Sequence, residues 1–282
     1  MMPRHAVEWV NTIGTRLPSL DRYTLGRAGE KIAAWARPQR GDGSPVQDEG
    51  LRPRVIDPPM WPSFGSRLAR GINRRLLQRA IERELPPGPV HAITTLPLVA
   101  DLVGELPVER WLYYCVDDLS VWPGLDGDTL RQMENELLER VDEVVCVSEA
   151  LQRRIAGLGR ESTILTHGVD LQHWRQDRDS LLPDALSQLP RPWVVFWGVI
   201  DGRLDIAVVR ALADQLQEGS IVLLGPVNQP APPVVGLARV YTPGPVPYAS
   251  LPAVAREMAV AIMPYADIAA TRAMQPLKLK EY

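Results

Sequence analysis

Short runs of unbroken apolar residues, each closed by a polar residue, a glycine or a proline, constrain this chain most. Arg110–Val116, apolar after its first residue, and Val144–Val147, Trp193–Trp197, Ile221–Leu224 and Ala259–Met263 are of this kind. A strand with no polar alternation is buried on both faces, as in a parallel sheet covered by helices. Helix-length segments with apolar periodicity separate them: Leu130–Val141, Ser148–Gly157, Asp205–Gln217 and Leu251–Glu257. Strand, helix, strand repeated in this way predicts α/β architecture with two doubly wound parallel units. The Pro-flanked stretch Ser180–Pro192 reads as the linker, so the expected domains are 1–178 and 191–282, joined by 179–190.

At 282 residues the chain suits one large or two ordinary domains, and a hydrophobic content of 45% supplies a core. The formal charge of −3 gives no general case for nucleic acid as a partner. Cys115 and Cys146 lie in apolar runs without metal-ligand spacing, and read as reduced, buried side chains. No secretory signal is visible, and no apolar run approaches the ~20 residues of a membrane span. A cytoplasmic protein is expected, at most peripheral at the inner face of a membrane.

Other segments follow from local pattern. Ala6–Val10 alternates as a strand, Leu25–Trp35 is a short helix candidate, residues 38–50 a polar loop, and Val55–Ile56 a short strand. Ser63–Leu85 reads as a helix with Arg67, Arg70, Arg74, Arg75, Arg79 and Arg83 on one face. Such a face is either solvated or able to lie on anionic lipid. His91–Thr95, Thr163–Thr166 and Ala238–Tyr241 are further short strands. Tyr113, Tyr114, Trp61, Trp122 and Trp197 read as core or sheet-packing aromatics.

Ligands of open parallel sheets bind outside the carboxyl ends of the strands. The polar groups of interest gather at such ends. Asp117 and Asp118 close the strand at Val116, as a carboxylate pair for acid/base or hydroxyl-binding work or as a simple turn cap. Thr166-His-Gly-Val-Asp170 follows another strand. Gly168 there is expected to take a backbone conformation closed to other residues, and Asp170 to cap the next turn. Gly198-Val-Ile-Asp-Gly-Arg203 is a tight turn able to bring N–H groups to a phosphate, with Arg203 the nearby cation. Gly225-Pro226 ends the next strand. After Met263-Pro-Tyr265 comes a polar loop, then Pro276-Leu-Lys-Leu-Lys-Glu281, with Pro276 suited to a first helical turn. The N–H groups of that turn, Lys278 and Lys280 favour an anion, and Glu281 is a carboxylate able to take two hydroxyls.

The P-L-K-L-K-E-Y segment after an M-P-Y strand resembles the donor-site turn of GT-B glycosyltransferases, retaining family four in particular. The resemblance covers nearly the whole chain and is strongest at 111–174 and 259–282. It implies two Rossmann-like domains facing a cleft and transfer of a sugar from a nucleotide-diphosphate sugar to a glycan or lipid-linked acceptor. It implies retention and no metal or other cofactor. It places the ribose contact on Glu281 and the diphosphate contacts around Gly198, Arg203 and Lys278. Gly225 falls under the base, and His167, Gly168 and Asp170 at the interdomain turn. Asp117 or Asp118 would face the acceptor or the donor sugar. The sequence departs from the family at Ala273, where a second glutamate is expected, and at Val199, where an arginine is expected. A leading strand before Ala6 and closing elements after Tyr282 are also expected, so the chain reads as truncated at both ends and prone to aggregate. A non-catalytic remnant serving as an interaction or membrane-surface module therefore stands beside the enzyme, and an epimerase of the same fold is a third reading.

Overall fold

The computed structural model describes residues 5–12, 53–175, 182–228, 233–234 and 236–282. The expected helix at Leu25–Trp35, the loop at 38–50 and the Asp177–Asp179 spacing lie outside the described residues. The chain divides into two compact units, Met1–Cys146 with Gln152–Ile164, and Val147–Leu151 with Leu165–Tyr282. The boundary expected at 178 falls within the second of these.

The first unit holds a small parallel pair, β1 (Glu8–Val10) with β2 (Arg54–Ile56), and a parallel sheet of four strands. The sheet order is β3-β4-β5-β6, with β3 at His91–Thr94, β4 at Arg110–Cys115, β5 at Glu143–Cys146 and β6 at Thr163–Ile164. β4 buries Trp111, Tyr113 and Cys115 on one face, and Cys115 stands in register with Cys146 of β5. Both cysteines are free thiols with no exposed surface, as expected of small buried hydrophobes.

Helix α1 (Arg67–Glu82) is capped by Ser66, whose Oγ accepts from Ala69 N at 3.2 Å. It buries Ala69, Asn73, Leu77 and Ile81 along one stripe. The expected face of six arginines is divided. Arg70 turns to Asp101 and Glu136, and Arg74 turns to Glu105 at 2.9 Å, while Arg67, Arg75, Arg79 and Arg83 stay exposed. Helix α2 (Gly127–Arg140) begins three residues before the expected Leu130, because Asp126 accepts from Thr129 N at 3.2 Å and fixes the N-terminus there. Leu130, Met133, Leu137 and Leu138 are its buried stripe. Trp61, expected to pack in the core, is 52% exposed.

Helix α3 (Glu149–Gly157) straddles the division between the units and starts at Ser148, whose Oγ accepts from Leu151 N at 3.2 Å. The second unit continues with α4 (Leu171–Arg175) and α5 (Asp184–Ser187), the latter inside the expected linker. Its parallel sheet has the order β10-β7-β8-β9. β7 is Trp193–Trp197, β8 Ser220–Leu224, β9 Val240–Gly244 and β10 Val260–Ala261. The ladder beside β10 extends to Ala259 N on Trp193 O (2.9 Å) and Ile262 N on Val195 O (2.8 Å).

Every residue of β7 and β8 is buried, because both faces are covered. Val194, Phe196, Ile221 and Leu223 face one core with Val209 and Ala213 of α6 (Ile206–Gln215). Trp193, Val195, Trp197, Val222 and Leu224 face the other with Val254 of α7 (Leu251–Glu257). The unbroken apolar runs are thus explained by two cores, each taking alternate residues. Short helices α8 (Ala269–Ala273) and α9 (Lys278–Glu281) follow. Each unit is a Rossmann-like α/β layer structure with a parallel sheet, and among the described residues no helix is long and apolar enough to cross a membrane.

Candidate functional site

The second unit gathers its polar groups outside the carboxyl ends of β7 and β8. Gly198 N donates to Leu224 O at 2.8 Å, and Gly225 N donates to Gly244 O at 3.0 Å. These bonds carry the ladder one step past each strand and bring the two glycines into contact. A Cβ on Gly225 would stand 2.0 Å from Gly198 O, and both residues have φ values, +140° and +146°, that only glycine holds without strain.

The turn after Gly198 is laced on both sides. Ile200 N donates to Pro226 O at 2.9 Å and Asn228 N to Ile200 O at 3.0 Å. On the other side Asp205 N donates to Pro264 O and Ala266 N to Arg203 O, both at 2.8 Å. The turn is therefore a fixed platform, and α9 lies over it. A Cβ on Gly198 would meet Lys278 Cε at 2.3 Å and Nζ at 2.8 Å. The Lys278 ammonium sits 5.6 Å from the Phe196 ring centre and 5.7 Å from that of Tyr265. An ammonium held over two ring faces at the strand end is a ready partner for an anion.

Glu281, one turn after Lys278, accepts from the indole Nε1 of Trp197 through Oε2 at 2.8 Å. Its Oε1 has no hydrogen bond among the described residues. The Trp197 ring stacks on Trp174 at 5.7 Å and meets Tyr282 edge-on at 4.5 Å. The Tyr282 hydroxyl donates to Ile262 O at 3.0 Å, and burial pushes its pKa well up. Tyr248, stacked on His173 at 4.1 Å, is also pushed up, by burial first and then by the Glu281 charge.

The remaining predicted residues fall into place as follows. Arg203 is tied to Asp201, with Nη2 to Oδ2 at 2.9 Å and Nε to Oδ1 at 2.9 Å, and lies 5.7 Å from the Tyr265 ring. Its charge is thus matched locally. Lys280 turns away from Lys278 and donates to Thr166 Oγ1 at 3.0 Å and to His167 O. His167 N donates to Gln275 Oε1 at 2.8 Å, and Ser148 Oγ donates to Ala273 O at 2.7 Å. The 166–170 turn and the 273–281 segment are therefore stapled together inside this unit. Burial and then Lys280 hold the His167 imidazole below its ordinary pKa. Asp170 caps α4, accepting from Gln172 N at 2.9 Å and His173 N at 3.1 Å. Gly168 does not adopt the expected glycine-only conformation, and a Cβ there would meet nothing. The turn at Gly168 thus needs no glycine on backbone grounds, contrary to expectation.

Asp117 and Asp118 belong to the first unit, after β4. Asp118 is 8% exposed and caps the turn Leu119–Val121, accepting from Ser120 N at 3.1 Å and Ser120 Oγ at 2.6 Å. Its other oxygen lies 3.3 Å from Arg154 Nε. Arg154 also donates to buried Glu134 at 2.6 Å, and Glu134 accepts from the Tyr113 hydroxyl at 2.7 Å. Burial, then the Glu134 charge, pushes the neighbouring Cys115 thiol up to about 12, so it is no nucleophile. Asp117 is half-buried. The adjacent carboxylates are thus dissimilar: one is built into the turn.

Trp197 packs in the core as expected, and its indole N–H in addition reaches Glu281. Sequence reasoning missed that bond, and it missed Asp201 and Gln275. Among the described residues no group of His, Cys, Asp and Glu is placed to hold a metal ion.

The sequence matches no family model and no curated protein. Among solved structures the chain is similar to a point mutant of TarM from S. aureus, crystallised in complex with Fondaparinux, alpha-GlcNAc-glycerol and UDP. That similarity has a TM-score of 0.47 at 9% sequence identity. It covers 67% of this chain and 40% of that one, so the chain spans less than half the length of the structure it matches.

Proposed function

We propose that the second unit binds the diphosphate and ribose of a nucleotide sugar, and that the protein transfers the sugar to a glycan or lipid-linked acceptor. The observation that carries this reading is the placement of α9. It sets the Lys278 ammonium over the Gly198 turn and the Glu281 carboxylate one turn further on, at the carboxyl end of β7. A cation and a hydroxyl-binding carboxylate at that spacing suit a leaving diphosphate and the ribose attached to it. The order of the same residues in P-L-K-L-K-E supports the GT-B arrangement, a retaining reaction and catalysis without a metal. Arg203, neutralised by Asp201, is a weaker diphosphate ligand than Lys278 in this reading. The resemblance of Y-Y-C-V-D-D-L carries either Asp117 or Asp118 as a contact to the acceptor or the donor sugar, and Asp118 is in addition bonded to its own turn and to Arg154. The exposed arginines of α1, Arg67, Arg75, Arg79 and Arg83, support peripheral attachment to an anionic membrane from the cytoplasmic side.

One observation favours the second reading, a binding module without transfer activity. The Arg203–Asp201 pair leaves Lys278 as the principal cation of the platform. The two readings separate on turnover. The full chain is incubated with UDP-, GDP- and ADP-sugars in chelator, and the anomer of the released or transferred sugar is followed by proton NMR. Slow release of the donor's own anomer, abolished by Lys278→Ala, is the expected result. Binding without any release supports the module, and absence of binding to every donor refutes both.

A further inference from the structure

We infer that Trp197 is a positioning residue of the nucleotide site, aiming the Glu281 carboxylate through its indole N–H. This inference rests on the proposed nucleotide reading and deepens it. Trp197 ends β7 in register with Leu224 of β8, and is 5% exposed. Its ring is held by two neighbours in different orientations, stacked on Trp174 at an interplanar angle of 15° and edge-on to Tyr282 at 87°. A ring clamped in this way has one direction for its N–H, and that direction meets Glu281 Oε2 at 2.8 Å. Glu281 itself sits in a helix of one turn, which fixes a side chain poorly. The indole bond therefore supplies the orientation that the helix does not, leaving Oε1 to accept from a sugar hydroxyl. A tryptophan carries no acceptor and no charge, so it adds direction without altering the net charge of the site.

The consequence is a specificity determinant for ribose. With Trp197 in place, the site distinguishes a ribosyl from a dideoxyribosyl diphosphate. Without the N–H, the carboxylate is free to rotate and the distinction fades while the diphosphate is still held by Lys278.

The test uses the full chain and isothermal titration with three probes: the tightest binder among UDP, ADP and GDP, its 2′,3′-dideoxy analogue, and pyrophosphate. Wild type should prefer the ribosyl ligand by about tenfold, the scale of one charge-assisted hydrogen bond. Trp197→Phe keeps the ring stacking and removes the donor. Its preference should fall at least about threefold, with pyrophosphate affinity unchanged, since only the carboxylate's aim is lost. Glu281→Gln should lose the preference to a similar degree. If Trp197→Phe keeps the full preference while Glu281→Gln loses it, the positioning role is overturned and the nucleotide reading stands. If wild type shows no preference or no binding, both are overturned. Should Trp197→Phe not fold, the wild-type indole resonances decide. One N–H signal must shift when the ribosyl ligand is added, stay still with pyrophosphate, and be displaced in Glu281→Gln. Absence of such a signal overturns the inference.

Discussion

Replacing the two strand-end glycines by alanine should give two different defects. At Gly225 the new Cβ would stand 2.0 Å from Gly198 O and 2.8 Å from Gly198 C. Both are backbone atoms, held by Gly198 N on Leu224 O at 2.8 Å and Gly225 N on Gly244 O at 3.0 Å. No rotamer change relieves the contact. The strands must part by about 1 Å, which strains or breaks two buried hydrogen bonds on top of a glycine-only φ, at a cost of about 3–6 kcal/mol. At Gly198 the nearest obstructing atoms are Lys278 Cε at 2.3 Å and Nζ at 2.8 Å, the far end of a flexible chain, with Phe196 Cζ next at 3.2 Å, a tight contact that a few tenths of an ångström relieves. Gly198→Ala therefore costs about 1–3 kcal/mol in backbone strain, and the lysine swings away. Its defect should be in anion binding. Urea unfolding monitored by tryptophan fluorescence measures the first effect, and titration with UDP the second. A Gly225→Ala variant within about 1 kcal/mol of wild type, or a Gly198→Ala variant less stable than Gly225→Ala, would show that the backbone contact at Gly225 is not the costlier of the two.

Other perturbations reach different parts of the molecule. Lys278→Ala should weaken nucleoside diphosphate binding about tenfold or more with little change in unfolding, and raised salt should mimic it. Arg154→Met should destabilise the first unit by about 3 kcal/mol, since it strands buried Glu134; adding Glu134→Gln should recover part of this in a double-mutant cycle. His167 titrates below its ordinary value when folded, so the unfolded chain takes its proton first. Its contribution is present above the unfolded pKa of about 6.5 and is lost as pH falls below it. His167→Gln should flatten stability against pH in that window. Cys115 and Cys146, with no exposed surface, should react with a thiol reagent at pH 8 only after denaturant is added.

The fold was legible where burial was complete. Trp193–Trp197 and Ile221–Leu224 carry apolar side chains on both faces, and only a doubly covered parallel strand accepts that pattern. A helix start was legible at Ser148, a good N-cap by residue type. It was missed at Asp126, because the apolar periodicity starts only at Leu130 while the cap begins the helix at Gly127. The arginine face of α1 shows the limit of periodicity. Spacing put Arg70 and Arg74 with the others, but their acidic partners Asp101, Glu105 and Glu136 come from residues 30 to 70 positions away in sequence, which no local pattern reports. Of the candidate site residues, Gly198 lies against both Gly225 and Lys278, and Glu281 follows one turn after Lys278, whereas Arg203 was named without its partner Asp201 two residues earlier. Trp197 lies in the core as its pattern indicated, but no local pattern says which way an indole N–H points, so its bond to Glu281 was not foreseen.

Hydrogen exchange of the full chain, with and without saturating UDP or whichever of GDP and ADP binds, shows whether the β7 turn and the α9 segment together hold a nucleoside diphosphate. Such binding should slow exchange, in the second unit, only in peptides covering 198–203, 225–228 and 275–282, and Lys278→Ala should abolish the effect. Protection elsewhere with these three segments unchanged, or no protection by any nucleotide, would contradict such binding.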